Sequence, residues 1–250
     1  MPAPVSVLPE IVRITFRQLL GRRRTLLLLL LAALPVLLAV IFRLAGQVDV
    51  KEYSTGVFDT VSLTIVLPLT AVLFGTGAFG AENDEGTILY LLAKPIPRWI
   101  IVASKALAAV LLAVSLTVAS VVLGGLVELF PAGPDGVAAT EAQVVAMVVG
   151  SICYVALFVP LSLFTRRALV IGIGYMLVWE GALSFMLPGI ANLSIRQYAI
   201  GASTAIYRLP LEETRLPADT AFVLSAILVV VAMAIATWRL RRFELSGGSD

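Results

Sequence analysis

The 250-residue chain has no histidine and one cysteine, and only 14% of its residues are charged against 60% hydrophobic. Without histidine it lacks the commonest general base, the commonest metal ligand and the usual partner of a nucleophilic Ser or Cys. Cys153 lies inside an apolar run, so neither a disulfide framework nor a thiolate metal cluster is available. Only carboxylate or lysine chemistry is left to an intramembrane enzyme, and no Ser-based elbow motif or in-span carboxylate partner for Glu180 supports one. A P-loop is missing too, because Gly80 is followed by Ala81-Glu82 rather than Lys-Ser/Thr. The chain is therefore expected to bind no nucleotide, metal or other cofactor itself, and no nucleic acid.

Apolar length is what the sequence has in excess. A mean hydropathy of +1.01 marks an integral membrane protein, since globular domains are roughly 45–50% apolar. A helix needs about 20 mainly apolar residues to cross the hydrocarbon core. Six such runs fall near Thr25–Phe42, Val61–Ala81, Trp99–Val127, Glu141–Phe164, Ala168–Leu187 and Thr220–Trp238. This predicts an all-α protein, one transmembrane domain over residues 1–250, with kinks at the prolines at 35, 68 and 160 inside spans.

With the N-terminus in the cytoplasm, the inner side would hold Arg13, Arg17, Arg22, Arg23, Arg24, Lys94, Arg98, Lys105, Arg166, Arg167, Arg239, Arg241 and Arg242. The outer side would keep only Arg43, Lys51, Arg196, Arg208 and Arg215. The positive-inside rule then predicts a multi-pass protein of the cell membrane with both termini cytoplasmic. The run after Arg22–Arg24 is too long for a signal-peptide core and no small-residue cleavage site closes it, so an uncleaved anchor is expected. Before it, Leu8, Ile11, Val12, Thr15, Phe16 and Leu19 form a helical stripe opposite Glu10, Arg13 and Arg17. That pattern predicts an amphipathic interfacial helix over residues 8–20, its arginines facing anionic headgroups.

Outside, Leu129–Thr140 is Pro/Gly-rich and reads as a plain loop. Residues 188–219 are longer and half apolar, and two readings stand: a dip back into the membrane or a small outer cap that could meet an extracytoplasmic partner. Glu180, in the fifth span, lies roughly 20 Å beyond Arg167 along a helix. An ionisable group there costs about 2.5–3.5 kcal/mol on insertion scales and should face a cavity or a partner. It is a candidate translocation-path residue, or else a protonated or hydrogen-bonded Glu that stabilises helix packing. Arg43 and Asp59, near outer span ends, read as interface residues.

Gly75-Thr76-Gly77-Ala78-Phe79-Gly80 satisfies G-x-G-x-x-G, but that fingerprint needs a strand before it and a helix after it. At the inner end of a membrane span Gly75, Gly77 and Gly80 read instead as small residues for close helix packing. Next, Glu82, Asp84 and Glu85 collect where cations would be expected. Ile88, Leu91 and Leu92 recur at helical spacing, and Lys94-Pro95-Ile96-Pro97-Arg98 breaks the helix before Trp99 anchors the next span.

The run from Phe74 to Lys105 resembles the cytoplasmic signature of ABC-2-type transporter permeases: an acidic G-x-x-E-x-x-x-GT element, two leucines, a Pro-hydrophobic-Pro/Ser-Arg turn and a Lys in the next helix. The matching positions are Gly80 or nearby small residues, Glu82, Glu85, Gly86, Thr87, Leu91, Leu92, Pro95, Arg98 and Lys105. The resemblance implies a transport subunit that is not itself an enzyme. It would work as a dimer, as two copies of this chain or with a sibling, on which two copies of a soluble ATPase carry ATP and Mg. The implied work is export. Residues 82–98, with Asp84 and Pro97 among them, would form a short cytoplasmic coupling helix between spans 2 and 3, and Arg13, Phe16 and Arg17 of the surface helix would touch the same ATPase. The alternatives are an ATPase-coupled membrane scaffold that moves nothing and an ion-gradient-driven secondary transporter. The latter usually shows internal repeats, which are not seen between residues 1–125 and 126–250.

Overall fold

Gly21, in extended backbone at φ −62° and ψ 134°, separates two helices of opposite character. The computed structural model describes residues 8–46, 49–84, 96–183, 193–211 and 216–246. Helix α1 (Leu8–Leu19) is amphipathic: it buries Thr15 and Leu19 and leaves Glu10, Arg13 and Arg17 exposed, in the register of the stripe. Helix α2 (Arg22–Leu44) is apolar all round, and Leu26, Leu27, Leu30, Leu37 and Ile41 stay exposed. A helix with no polar face is one suited to lipid.

Helix α3 covers residues 50–84 in three parts: Val50–Tyr53, a π-helical stretch Ser54–Val66, and Leu67–Asp84. Then come α4 (Arg98–Glu128), α5 (Pro134–Phe164) and α6 (residues 168–183), the last changing from α (Ala168–Tyr175) to π (Met176–Leu183). The buried helix α7 (Ile195–Ser203) and the long α8 (Ala218–Ser246) complete the chain. Among the described residues there is no strand.

The π stretch of α3 has a local cause. Pro68 has no N–H, so the carbonyl four residues back loses its α-helical donor and the turns before it are free to widen. Two threonines fill the wider register: Thr60 Oγ1 donates to the Thr55 carbonyl at 3.0 Å and Thr64 Oγ1 to that of Asp59 at 2.8 Å, each five residues back.

Among the described residues five helices, α2 to α5 and α8, are long and apolar enough to cross a membrane. The sixth expected span is shorter: its apolar helix covers Ala168–Gly181, and residues 184–187 lie outside the described residues. Two boundaries also differ from expectation. The second spanning helix begins at Val50 rather than Val61, because Lys51, Glu52 and Asp59 lower the hydropathy of turns that are nonetheless helical. Leu129–Thr140 is not a plain loop: a 3-10 turn at Phe130–Ala132 leads directly into α5. Gly133, at φ +84°, makes the break there; Pro134 has its φ pre-set for a first turn and Asp135 favours the helix N-terminus.

Helices α3 and α5 are the most buried of the long helices, and α2 and α8 the least. Helices α2 and α4 run parallel, since Ser120 Oγ donates to the Ala32 carbonyl at 2.6 Å and Ala39 reaches Gly124 further along both. At the end of α8, Arg239 lies 5.2 Å above the ring of Phe164, the last residue of α5, and Trp238 shares a groove with Trp99 at the start of α4. The start of α2 and the end of α8 thus lie at the same end of the bundle. Helix α7 is buried along its length, with Ala199 against Gly150 midway along α5 and Gly201 against Ala221 of α8.

Candidate coupling site and buried polar clusters

Ala78, Phe79 and Glu82 stand at positions i, i+1 and i+4 of α3, which puts them on one face of its last turns. Lys105 meets that face from α4. Its Nζ donates to the Ala78 carbonyl at 2.6 Å and to Glu82 Oε1 at 2.5 Å, and it sits 5.0 Å from the centre of the Phe79 ring. The side chain of Lys105 is 3% exposed and that of Glu82 14%. One ammonium with three donors therefore satisfies a carbonyl, a carboxylate and an aromatic face at once. Glu82 Oε2 is buried without a hydrogen-bond partner among the described residues.

The neighbouring Asn83 extends the junction to a third helix, its Nδ2 donating to the Ser162 carbonyl of α5 at 3.0 Å. On the α4 side, Pro97 precedes the helix with φ −55° and ψ 131°, and its carbonyl accepts from Ile100 N at 3.0 Å. Arg98 Nη1 donates to the Ile96 carbonyl at 3.4 Å. Glu85, Gly86, Thr87, Leu91, Leu92 and Pro95 lie outside the described residues, and of Asp84 only its place in the helix is described. What the structure brings together is the two roots of the coupling segment, one on each side of residues 85–95. Arg13, Phe16 and Arg17 lie on α1, which packs against α4, with Phe16 turned to the core and both arginines exposed.

The three glycines of the G-x-G-x-x-G match lie within one uninterrupted helix, without the strand a dinucleotide site needs. They differ in surroundings. A Cβ on Gly75 would lie 2.8 Å from Phe158 Cβ of α5, so α3 and α5 approach closely there. At Gly80 a Cβ would meet nothing within 4 Å, and Gly77 is half-buried.

Nearer the middle of the bundle a second polar cluster surrounds the start of α7. Glu180, 8% exposed, accepts from Ser194 Oγ at 2.5 Å, from the Ile195 N–H at 3.0 Å and from the Tyr175 hydroxyl at 3.5 Å. Tyr154 of α5 also hydrogen-bonds it. Ser194 is the N-cap of α7 and accepts from the Gln197 N–H at 3.4 Å. Glu180 thus lies at the N-terminus of a buried helix, where a carboxylate meets unpaired N–H groups and the positive end of the dipole. One residue into α7, Arg196 pairs with Asp59 Oδ1 at 2.5 Å, which ties α7 to the π stretch of α3. Another link to that stretch is Gln143 of α5, whose Nε2 donates to Ser54 Oγ at 3.4 Å.

Asp59, which the sequence places near an outer span end, is half of this ion pair. A separation of 137 residues gives no periodic signal for it. The Asn83–Ser162 contact has no signal in the sequence either, because a lone polar residue near a span end does not announce its partner. Glu82 and Glu180 stand out in the sequence as charges out of place, whereas Lys105 reads there as one more inner-side cation.

The chain matches a family described as "ABC-2 family transporter protein" over residues 10–245. No curated protein matches it.

Proposed function

Since the chain belongs to the ABC-2 transporter family and is a multi-pass membrane permease by that match and its apolar helices, we propose that a separate ATPase drives it through residues 82–98. In this reading two permease copies form the pathway, two copies of the ATPase dock beside α1 and the coupling segment, and the direction of transport is export. The chain hydrolyses nothing. Six crossings, α6 completing the set, leave both termini in the cytoplasm, and α7 dips back between α5 and α8 from the outer side.

The observation that carries this reading is the Lys105–Glu82 lock. A push on residues 85–95 can tilt the spans only if the segment's roots do not yield, and the lock fastens both roots with buried contacts. Asn83 passes the same displacement to α5. Rigid elements joined at such a junction move as a body, and a packed interface has discrete arrangements rather than a continuum. ATP bound on the partner would favour one access state only through a difference in contacts between states.

The test is purification of the chain with its candidate ATPase, with Glu82 and Glu85 each changed to Lys, followed by reconstitution into vesicles. Loss of assembly or of ATP-dependent transport is expected. Full assembly with full transport in both variants would sink the coupling reading. Glu180, held by four groups of its own chain, enters as a path residue only if Glu180→Gln changes transport while assembly and ATP hydrolysis stay normal.

A further inference from the structure

Where α4 begins and α8 ends, a groove of about 430 Å³ opens between them, lined by Trp99, Val102, Met233, Thr237, Trp238 and Arg241 among others. From α8 it takes positions 233, 234, 237, 238 and 241, a single helical stripe about 12 Å long at 1.5 Å per residue. Its wall is almost wholly apolar, because the hydroxyl of Thr237 is turned into its own helix, donating to the Met233 carbonyl at 2.8 Å. The indoles stand at its mouth, Trp99 55% and Trp238 48% exposed. Arg241 is exposed at the same level, and the Arg242 guanidinium lies 4.1 Å from the Trp238 ring centre.

An apolar slot that runs into the membrane, two aromatic rings at its rim and a guanidinium above them fit one kind of molecule closely. We propose that this groove binds an anionic phospholipid, one acyl chain lying between α4 and α8 and the phosphodiester meeting Arg241. Aromatic side chains settle at the headgroup level, and basic pockets between spanning helices take anionic headgroups. A soluble anion would leave the apolar slot empty, and a neutral phospholipid would leave the guanidinium without a charge partner. The site lies at one root of the coupling segment, because Trp99 is the residue after Arg98, yet it depends on α4 and α8 alone and stands whether or not the ATPase docks at residues 82–98.

The test uses the purified full-length chain in detergent, titrated with dioleoyl phosphatidylglycerol, dioleoyl phosphatidylcholine or glycerol phosphate and read by native mass spectrometry. Retention of phosphatidylglycerol about five-fold above phosphatidylcholine is expected, the share of one arginine at a membrane surface. Arg241→Gln should bring the two lipids level without changing phosphatidylcholine retention. Ala103→Trp, which fills the slot, should lower both. A diazirine on the acyl chain should cross-link to residues 99–103 or 233–241. Equal retention of both lipids by the unaltered chain, an undiminished preference in Arg241→Gln, equal binding of glycerol phosphate, or cross-links elsewhere would each overturn the proposal. So would a second copy or a soluble protein that holds the groove and is not displaced by phosphatidylglycerol.

Discussion

Lys105 shows how much one residue can fix when it is buried. Its ammonium would be prohibitively costly in an apolar span by itself, and it persists because Ala78, Phe79 and Glu82 stand on one helix face within its reach. Removing one partner leaves the other charge uncompensated. Lys105→Met should therefore destabilise the protein by about 3–5 kcal/mol, and Lys105→Met with Glu82→Met should recover a large part of that. Thermal unfolding in detergent of the two single variants and the double variant checks it; a double variant as unstable as the sum of the singles would deny the pairing. The glycines give a second contrast at this scale. Gly75→Val would push a side chain into Phe158 and should cost about 1–3 kcal/mol, whereas Gly80→Ala, with open space and helical backbone, should be neutral or stabilising by up to about 1 kcal/mol. Equal midpoints for the two variants would contradict the close approach of α3 and α5.

Among the elements, α7 is the least expected from sequence and the most dependent on others. Nine residues make a marginal helix in isolation. This one is held by Glu180 at its N-terminus, by Asp59 through Arg196, and by small residues at Gly150 and Gly201 that let it lie close to α5 and α8. Glu180→Ala would leave the Ile195 N–H and the Ser194 hydroxyl without this acceptor, at a cost of about 1–3 kcal/mol, and amide exchange over residues 195–203 should speed up. Glu180→Gln keeps one carbonyl acceptor and should have the smaller effect. Asp59→Arg should loosen the same helix, and adding Arg196→Asp should restore its protection. No restoration would mean that the pair is incidental. Both π stretches border this cluster, which fits the habit of widened turns to occur where a helix must aim side chains away from its regular face.

For the whole molecule, the number of crossings has a parity that is easy to measure. Five crossings put the termini on opposite sides of the membrane, and six put them on the same side. The bundle places the start of α2 and the end of α8 together, so reporter fusions at the two termini are expected to report the same compartment, the cytoplasm. Opposite compartments would remove α6 from the crossings and overturn the six-span reading. The exposed leucines of α2 and the exposed face of α8 offer the lipid or a second copy a wide apolar surface, and which helices a second copy covers is readable by cysteine cross-linking along α2 and α8.

Sequence alone determined the membrane character, the all-helical class, the amphipathic stripe of α1 and the apolar core of each long helix, since these follow from composition and from a 3.6-residue period that needs no partner. It also exposed Glu82 and Glu180 as charges out of place at the end of, or within, an apolar span. Which charges meet was decided only by the tertiary structure. Lys105 with Glu82, Asn83 with Ser162, Asp59 with Arg196 and Glu180 with the start of α7 are pairings across helices, and their existence depends on helix rotation and depth. Those two quantities leave no trace in a span whose residues are apolar on every side, because an apolar helix has no preferred face until a neighbour supplies one.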